Sequence, residues 1–578
     1  MKNTDKTTSI TLAHINDTHS YFEPTSLQLH LNIDGESLSP FVSAGGFARI
    51  ATRVAQLRSD AERMQKQFVF VHAGDCFQGT LYFSLFKGKV NVDMLNALNI
   101  DAMALGNHEL DMGNEPVARF AKRIQFPLLA GNWDLANEGV DKAHTLKDNP
   151  QVKAYNTAAQ CARWIVKGKG QDSVALFGVS IDKMADIANP DSDTPFLNAL
   201  EVVQQTVKAI QASGINKIIL ISHLGYDQDL ELAAQVDGIG VVVGGHSHVL
   251  QGDFSDLGLG VQDAYGQEVN GTYVVQAGYY ALALGHCDIE FNQTGRVVRF
   301  QGQNELLLGR RLFLDASMNQ AGLDERYLKA CDYVNQHPLV SVCKKDPDVH
   351  AVLSQKYMPQ VREMQQQEVV QIPKPLRHVR IPDEHGPSQV APLVARGFYE
   401  SMRKRGYPVQ FAIHNAGGVR TSIQAGPLTT ADIVGQLLPF AIPVGVYQIK
   451  GQTIASLLEG AINNATNNGM VGTGSGSYPY THNLKFEYHA HLPKGHRIRQ
   501  LRIFENGQWQ PVDILRNYYG VSSAYTIKGK EGYDAFSELE EPAKMSNLTM
   551  ADTFVELLTD KPKVIDKTVS YNFFNEKE

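Results

Sequence analysis

The sequence predicts an α/β fold, and two observations carry this prediction. From residue 10 to about residue 300, short apolar runs rich in β-branched residues alternate with amphipathic segments such as 47–58 and 200–213. This alternation is typical of buried strands connected by helices. In addition, polar motifs directly follow five of the apolar runs, at the position where open α/β sheets place their ligand sites.

The five runs are followed by short motifs that contain metal-binding side chains. The runs are 10–15, 68–71, 100–105, 218–221 and 241–243. The motifs are Asp17-Thr18-His19, Gly74-Asp75, Gly106-Asn107-His108-Glu109, Ser222-His223 and Gly245-His246-Ser247-His248. A single pair of this kind is usually an ordinary turn. Five of them in order, each after a strand-like run, predict one shared site.

The chemistry of these side chains indicates two adjacent divalent cations. Three of them offer oxygen and four offer imidazole nitrogen, and the seven candidates are Asp17, Asp75, Asn107, His19, His223, His246 and His248. Mixed oxygen and nitrogen ligation suits Mn, Zn, Fe or Co better than Mg or Ca. Histidines two positions apart, as in the last motif, can reach two neighbouring ions.

Length and composition predict a folded protein of at least two domains. A chain of 578 residues is too long for one core, and 43% hydrophobic with 20% charged residues is typical of globular proteins. The net charge of −8, without a block of lysine or arginine, disfavours binding to nucleic-acid polymers. No stretch approaches 18 consecutive apolar residues, so we expect no membrane span.

The N-terminus and the cysteines bear on localisation. Residues 1–8 are polar and the first strand-like run begins at residue 10, which leaves no room for a signal peptide. The five cysteines are an odd number and lack paired spacing. We therefore expect a cytoplasmic protein, or a periplasmic or extracellular one if a signal was removed. Cys76, beside a candidate ligand, is expected to be a buried small residue rather than a further metal ligand.

The motifs resemble those of a known family. Asp17-Thr18-His19, the segment 74–80 (GDCFQGT), the segment 106–111 (GNHELD) and Gly245-His246-Ser247-His248 are similar to the motifs of calcineurin-like metallophosphatases. They are closer still to those of the 5′-nucleotidase family, which includes bacterial UDP-sugar hydrolases and animal ecto-5′-nucleotidase. The resemblance implies a four-layer metallophosphatase β-sandwich flanked by helices over 1–345. The residue pattern over 346–367 predicts a single helix that links this domain to the second one. The resemblance implies that the second is an α+β substrate-binding domain over 368–578.

The resemblance also implies a role for each residue of the site. Asp75 would bridge both cations, with Asp17, His19 and His248 on one ion and Asn107, His223 and His246 on the other. A water activated by the metals would attack phosphorus. His108, beside a ligand but not itself one, would stabilise charge on the phosphoryl oxygens, and Asp111 would orient His108. The resemblance implies two divalent ions, with Mn, Zn or Co as the expected metals.

The second domain carries the residues expected to bind substrate. The segment 411–420 (FAIHNAGGVR) resembles the family's Asn-Gly-Gly-Gly-Ile-Arg motif, and further segments align with its aromatic base clamp and ribose-binding residue. The residues implied are Asn415, Gly417, Arg420, Phe440, Gly476, Tyr525 and Glu531. Glycines let backbone approach a ligand, arginine suits phosphate or carboxylate, and two rings can sandwich a base. The alternative is that Phe440 and Tyr525 are ordinary core aromatics.

Three departures from the family pattern concern this pocket. Ala416 replaces a motif glycine, and Glu531 replaces an aspartate, which lengthens the expected ribose contact. Ala441-Ile442 stands where nucleotidases commonly carry Gly-Asn or Gly-Gly, so a polar contact to the base is missing. The arginine-rich segment that usually precedes the motif is blurred, and Arg377 and Arg380 do not align securely. The phosphomonoesterase motifs are intact, whereas the nucleoside pocket is altered.

These patterns predict a two-metal phosphomonoesterase that converts 5′-nucleotides to nucleosides and phosphate. The partner would be a small nucleotide or another phosphate ester, and no oligomeric state is predicted. The alternatives within enzymes are a nucleotide-sugar or 2′,3′-cyclic nucleotide phosphoesterase and a thiosulfonate hydrolase. A nucleotide-binding sensor without turnover is the alternative of another class. Retention of His108 argues against the sensor, because binding alone does not require it.

Overall fold

The computed structural model describes residues 7–470 and 474–566, and the backbone of Phe573–Asn575. The chain divides into two compact units, Met1–Pro359 and Gln360–Glu578. Within the described residues, no helix has both the length and the apolar character needed to cross a bilayer. The mixed α/β class predicted from the sequence is confirmed.

The first unit contains two large sheets. Across the first sheet the strands lie in the order Cys161–Ala162, Val152–Asn156, Leu128–Ala130, Ala102–Ala104, Gln67–His72, Thr8–Ile15, Ala283–Phe291, Val297–Phe313, Phe41–Ala44 and Thr25–Gln28, with Val340–Val342 paired to Val297–Phe313. Across the second sheet the order is Ile165–Lys167, Val174–Ser180, Lys217–His223, Val241–Val243, Thr272–Val275 and Gln267–Val269. A small hairpin pairs Leu31–Ile33 with Glu36–Leu38.

The two sheets pack face to face and helices cover their outer faces. Leu12 and Val71 of the first sheet share a fully buried apolar cluster with Ile219 and Val243 of the second. The helix Phe47–Arg63 packs on the outer face of the first sheet, while Ala199–Ala212 and Tyr226–Gln235 cover the second. The other helices of this unit are Leu81–Phe86, Lys89–Leu98, Asn114–Ala121, Met184–Ile187, Glu325–Gln336 and Pro347–Lys356. The four-layer arrangement implied by the family resemblance is therefore confirmed.

The strand order explains how distant motifs meet. Ala102–Ala104, Gln67–His72 and Thr8–Ile15 are parallel neighbours in the first sheet, and Lys217–His223 and Val241–Val243 are parallel neighbours in the second. All five are strands predicted from the apolar runs. Because parallel strands end at the same edge of a sheet, the five motifs that follow them gather at one end of the sandwich.

The single helix expected over 346–367 is wrong, because the structure has two helices there. Pro347–Lys356 ends at Tyr357, whose φ of −126° and ψ of −41° leave the helical range, and Met358–Gln366 follows. Pro359 accounts for the break, because it lacks the N–H that would bond to the carbonyl oxygen of Gln355, and its ring would clash with that carbonyl in a continuous helix. At this break, the hydroxyl of Tyr357 donates a hydrogen bond of 2.7 Å to Asp93.

The second unit is α+β. Its main sheet has the strand order Pro479–His482, Phe411–Asn415, Asn517–Ser523, Pro443–Lys450 and Lys544–Thr549. Smaller sheets consist of Gln508–Pro511, Ile498–Glu505, Leu484–His489 and Phe573–Asn575, and of Glu368–Ile372 with Gly426–Thr429. The main helices are Ala391–Lys404, Gly451–Thr466 and Met550–Asp560, with a short helix at Ala524–Ile527. Phe411–Asn415 and Asn517–Ser523 are parallel, so the turns that follow them lie at one edge.

Candidate metal centre and substrate-binding residues

The loops that carry the candidate metal ligands have strained backbones. Five of the seven candidates have positive φ angles: Asp17 (48°), His19 (44°), Asp75 (60°), His246 (72°) and His248 (59°). Side-chain-bearing residues rarely adopt this region, and such residues cluster at functional sites. Gly106 is needed for a related reason, because a Cβ there would lie 2.1 Å from the Asp75 carboxylate.

The seven candidate ligands form two groups of ligand atoms. In one group, the Nε2 atom of His248 lies 3.2 Å from His19 Nε2 and 3.3 Å from Asp17 Oδ1. The three ligand atoms of this group all lie within 4.8 Å of one another. The second group, which has the same compactness, comprises Asp75, His223 and His246.

Asn107 joins the second group. Its Oδ1 atom lies 3.3 Å from His223 Nε2 and 3.0 Å from His246 Nδ1. The Oδ2 atom of Asp75 lies 3.1 Å from His223 Nε2. The structure thus brings together all seven residues predicted as ligands, three in one group and four in the other.

Backbone carbonyls set the tautomers of two of the histidines. His19 Nδ1 lies 3.0 Å from the carbonyl oxygen of Phe77, and His223 Nδ1 lies 2.7 Å from that of Ala73. Because a carbonyl oxygen can only accept, Nδ1 carries the proton in both rings. In the neutral form of either ring, Nε2 therefore presents a lone pair to its group, and this is the form that binds a metal.

The donor set fits divalent cations in charge as well as in chemistry. Asp17 and Asp75 are buried, and their ion pairs among the described residues are all with histidines. Burial alone would raise the pKa of Asp75, but His223 and His108 hold it well below its usual range. Two buried carboxylates without a lysine or arginine partner leave negative charge that metal ions would balance.

The histidine pKa values report the same negative charge. Burial would lower the pKa of His223, but the carboxylates of Asp75 and Asp17 raise it to about 10. His246, by contrast, has its pKa lowered to about 4 by burial and by His223. A proton on Nε2 of His223 would occupy the lone pair that faces the ligand group. A metal ion would have to displace that proton, so metal binding is expected to release protons.

His108 and Asp111 form a hydrogen-bonded pair beside the first group. His108 Nδ1 lies 2.6 Å from Asp111 Oδ2, and its ring centroid lies 5.2 Å from that of His19. Burial alone would lower the pKa of His108, but Asp111 and Asp75 raise it to about 10. Gln78 Nε2 donates to the same Asp111 oxygen over 2.9 Å, which fixes the carboxylate. The sequence did not point to Gln78, because its partner lies 33 positions away.

His72 is a second residue that the sequence did not reveal. It is fully buried between two of the ligand loops, and the N–H of Gly74 donates to its Nδ1 over 3.1 Å. The proton must therefore sit on Nε2, which donates to Thr18 Oγ1 over 2.9 Å. Burial lowers the pKa of His72 to about 3, so the ring is neutral. It connects the loop of Asp17 to the loop of Asp75.

Aromatic rings border the first ligand group. The ring of Tyr279 stacks on His248 with centroids 5.1 Å apart, and Tyr280 meets His19 edge-on at 5.8 Å. Tyr280 also stacks on Tyr21 at 4.1 Å, and its N–H donates to the carbonyl oxygen of Asp17 over 2.9 Å. These rings pack against two histidines of the group and limit the positions that their imidazoles can take.

In the second unit, Asn415 and two glycines lie at the edge where the parallel strands end. Asn415 is buried, and its Oδ1 accepts a hydrogen bond of 3.0 Å from Thr526 in the turn that carries Tyr525. A Cβ on Gly417 would lie 3.2 Å from the Cα of Gly476. The turn after Phe411–Asn415 is thus in close contact with the turns of Gly476 and Tyr525.

The remaining substrate-binding candidates lie in two pairs. The Arg420 guanidinium lies 5.7 Å from the centroid of the Phe440 ring, and Arg420 also donates to the carbonyl oxygen of Gly417 over 3.2 Å. Tyr525 is 37% exposed, and burial together with the negative charge of Glu531 raises its pKa to about 12. Partial exposure of Tyr525 leaves ring surface free to contact a ligand.

The two arginines left unassigned from the sequence differ in their surroundings. Arg377 is tied to its own loop by an ion pair with Asp383 and by a hydrogen bond of 3.1 Å to the carbonyl oxygen of Gly386. Arg380 is exposed and acts electrostatically on His378, whose pKa is lowered to about 4 by burial first and by that arginine second. Of these two residues, Arg380 is the more exposed.

Two family models match this chain. The model described as calcineurin-like phosphoesterase matches residues 10–250, and the model described as 5′-nucleotidase, C-terminal domain, matches residues 369–538. The first range contains all seven candidate ligands, His108 and Asp111. The second contains the seven substrate-binding candidates.

Curated relatives and solved structures match over nearly the full length. A probable 5′-nucleotidase of Treponema pallidum is 28% identical over 92% of this chain and 88% of that protein. The NAD 5′-nucleotidase of Haemophilus influenzae is 29% identical over 99% of this chain and 93% of that protein. The structure of the Haemophilus influenzae NAD nucleotidase superposes with a TM-score of 0.64 at 26% identity, covering 99% of this chain and all of that one. A 5′-nucleotidase precursor from Thermus thermophilus gives a TM-score of 0.62 at 25% identity, with the same coverage.

Proposed function

We propose that this chain, which belongs to the 5′-nucleotidase family of calcineurin-like phosphoesterases, hydrolyses 5′-nucleotides to nucleosides and phosphate. The observation that carries the proposal is the pair of ligand groups, Asp17, His19 and His248 beside Asp75, His223 and His246. A site for two divalent cations can activate a water and stabilise both the attacking and the leaving oxygen in an in-line attack on a phosphate ester.

We assign the metal ligands by their groups. Asp17, His19 and His248 would hold one cation, and Asn107, His223 and His246 the other. Asp75 would bridge them: its Oδ2 lies beside His223, and its carboxylate also acts on the pKa of His19. Two divalent metals supply Lewis acidity toward the phosphate and lower the pKa of a bound water. Four imidazoles among seven donors favour Mn, Zn or Co.

His108 and Asp111 are proposed to act together on the phosphate. Asp111 accepts a hydrogen bond from His108 Nδ1 and holds the ring in its orientation. His108 Nε2 is then the atom that would contact the phosphoryl oxygens and stabilise the charge that grows on them. The elevated pKa of His108 supports a protonated ring that can donate there. Gln78 holds the Asp111 carboxylate in position.

The second unit is proposed to bind the nucleoside. Phe440 and Tyr525 would stack on the base, Glu531 would contact the ribose, and Arg420 would meet an anionic group of the substrate. The Glu531 carboxylate acts on the pKa of Tyr525, so the two residues would recognise base and ribose as neighbours. With Ala441-Ile442 in place of polar residues, stacking would dominate, and we expect weak discrimination between bases.

A panel of substrates tests the proposed reaction. Each substrate would be assayed with Mn, Zn or Co added. Release of phosphate would be measured for AMP, UMP and a chromogenic phosphate ester, and the organic or sulfate products would be separated by chromatography for NAD, a UDP-sugar, a 2′,3′-cyclic nucleotide and a thiosulfonate. We expect the highest kcat/KM for 5′-mononucleotides. NAD is included because a relative is named for it. A preference for any other class would replace the nucleotidase assignment, and absence of turnover on every substrate would favour the sensor.

Truncating the proposed base clamp should weaken nucleotide binding selectively. Phe440→Ala and Tyr525→Ala are each expected to lose roughly 1–3 kcal/mol of stacking, which raises KM for AMP about 5- to 150-fold. Hydrolysis of the small chromogenic ester should be almost unchanged, because that substrate has no base. The measurement is kcat/KM for AMP, UMP and the chromogenic ester in each variant.

A matched control for the clamp is Phe504→Ala. Phe504 is 40% exposed and belongs to a different sheet of the same unit. Phe504→Ala therefore removes the same atoms as Phe440→Ala, but outside the proposed pocket. It should hydrolyse AMP like the wild type. If Phe440→Ala and Tyr525→Ala also do so, the two rings are ordinary packing residues and the base pocket lies elsewhere.

The cysteines bear on the compartment in which the protein works. All five are free thiols, and four of them are buried. Disulfides persist in oxidising compartments and are rare in the cytosol. The free thiols therefore support a reducing compartment such as the cytoplasm, which fractionation of cells that express the protein would test.

A further inference from the structure

Glu109 follows His108 in the third ligand motif but is not part of either ligand group. Its carboxylate is fully buried and accepts hydrogen bonds from four backbone N–H groups. Oε2 accepts from Asp75 over 3.0 Å and from Gly106 over 2.7 Å. Oε1 accepts from Cys76 over 2.8 Å and from Phe77 over 3.0 Å. With two donors on each oxygen, the carboxylate is saturated by backbone rather than aimed at a cation.

These four bonds hold a strained turn in its shape. Asp75 has a φ of 60°, and consecutive N–H groups from Asp75 to Phe77 converge on one carboxylate. Hydrogen bonds to an ionised acceptor are stronger than those between neutral groups. A backbone in the left-handed region persists only where its surroundings fix it. Glu109, in the neighbouring loop, holds the backbone of this turn in place through these hydrogen bonds.

The turn held by Glu109 touches both ligand groups. It presents the Asp75 carboxylate to His223 in the second group. It also presents the carbonyl oxygen of Phe77 to His19 Nδ1, which sets the tautomer of a ligand in the first group. The bond from Glu109 to Gly106 ties this turn to the loop of Asn107. One carboxylate thus fixes the backbone behind ligands on both sides of the centre.

We infer that Glu109 is a positioning residue that sets the affinity of both metal sites without binding a metal itself. The inference rests on the proposed two-metal function. It predicts that a change at Glu109 weakens both cations together, because Asp75 and the Phe77 carbonyl move with the same turn. Loss of partners outside the ligand set typically lowers metal affinity 10- to 100-fold.

Glu109→Gln is the informative substitution. Glutamine keeps the shape, but its amide offers one acceptor oxygen and one NH₂ donor, so two of the four N–H groups would face a donor. Chelator-stripped protein would be titrated with Mn²⁺ or Co²⁺, with stoichiometry from elemental analysis and coordination from the visible spectrum of the Co²⁺ form. We expect both sites to bind about 10- to 100-fold more weakly, with an altered Co²⁺ spectrum and activity recovering at high metal concentration.

Glu115→Gln is the matched control. Glu115 is another glutamate of the same region, and its side chain is 57% exposed and forms an ion pair with Arg119 at the helix surface. Its substitution should leave metal affinity, Co²⁺ spectrum and activity at wild-type values. Wild-type values for Glu109→Gln as well would overturn the inference about Glu109.

Two comparisons separate positioning from a general loss of stability. The rise in Tm on adding metal to the chelator-treated protein measures metal affinity apart from the stability of the metal-free fold. If Glu109 positions the ligands, adding metal should raise the Tm of Glu109→Gln less than it raises the Tm of the wild type. A purely structural role would lower the Tm values with and without metal equally, and this result would overturn the inference. If Glu109→Gln does not fold, Glu109→Asp keeps the charge but shortens the reach, and unchanged metal affinity there would also overturn it. A wild-type protein that binds no metal would instead contradict the proposed function.

Discussion

Asp75→Asn is expected to abolish nearly all hydrolysis and to weaken the binding of both metal ions. The side chain is buried, its Oδ2 faces His223, and its Oδ1 accepts the N–H of His108 over 2.8 Å. Asparagine preserves the shape but removes the negative charge and replaces one acceptor by a donor. The loss in kcat/KM should exceed the roughly 10- to 100-fold typical for partners outside the ligand set. Elemental analysis and steady-state kinetics on the purified variant make the measurement.

Asp17→Asn is the comparison that shows whether Asp75 bridges. Asp17 Oδ1 lies beside His248 in the first group. The second group is built from Asp75, His223 and His246. This variant should therefore chiefly lose one ion, so the metal content would fall from two per chain to one. If Asp75→Asn also lost only one ion, Asp75 would belong to a single site. Full activity of the wild type in chelator, with no transition metal bound, would exclude the two-metal centre altogether.

The sequence predicted the positions of the strands and of the candidate ligands because both are local patterns. Each apolar run gave a buried strand, and each motif lies at the strand end where the run stops. The predicted single helix over 346–367 is interrupted for a local reason too, because Pro359 lies within the segment and cannot continue the preceding turn. A proline inside a periodic pattern outweighs the pattern.

The residues that support the ligands could not be predicted, because their partners are distant in sequence. Gln78 contacts Asp111, His72 contacts Thr18, and Glu109 contacts the turn after Asp75, at separations of 32 to 54 positions. In the sequence Glu109 and Gln78 stand within motifs and His72 lies close to one, but no local pattern indicates what these side chains contact. The sequence does not indicate the positive φ angles of the ligand loops either, because the five ligands that adopt them are Asp or His rather than glycine. Both features arise from the packing of loops at the end of the sandwich.

His108→Ala is expected to lower kcat by about 10²–10³-fold while both metals remain bound, the scale for removing one group that stabilises the transition state. His108 pairs through Nδ1 with Asp111 and belongs to neither ligand group, so its loss leaves every candidate ligand in place. Elemental analysis and kcat for AMP on the same preparation make the test.

Asp111→Asn serves as the companion to His108→Ala. The asparagine retains an oxygen for Gln78 but no longer carries the charge that holds the proton on His108 Nδ1. We expect kcat to fall less than in His108→Ala, with metal content again unchanged, because the ring remains but its tautomer and orientation are no longer fixed. Loss of metal from His108→Ala would show that His108 is a ligand. Wild-type kcat in both variants would show that the pair takes no part in the reaction, and the stabilising charge would then have to come from the metal ions alone.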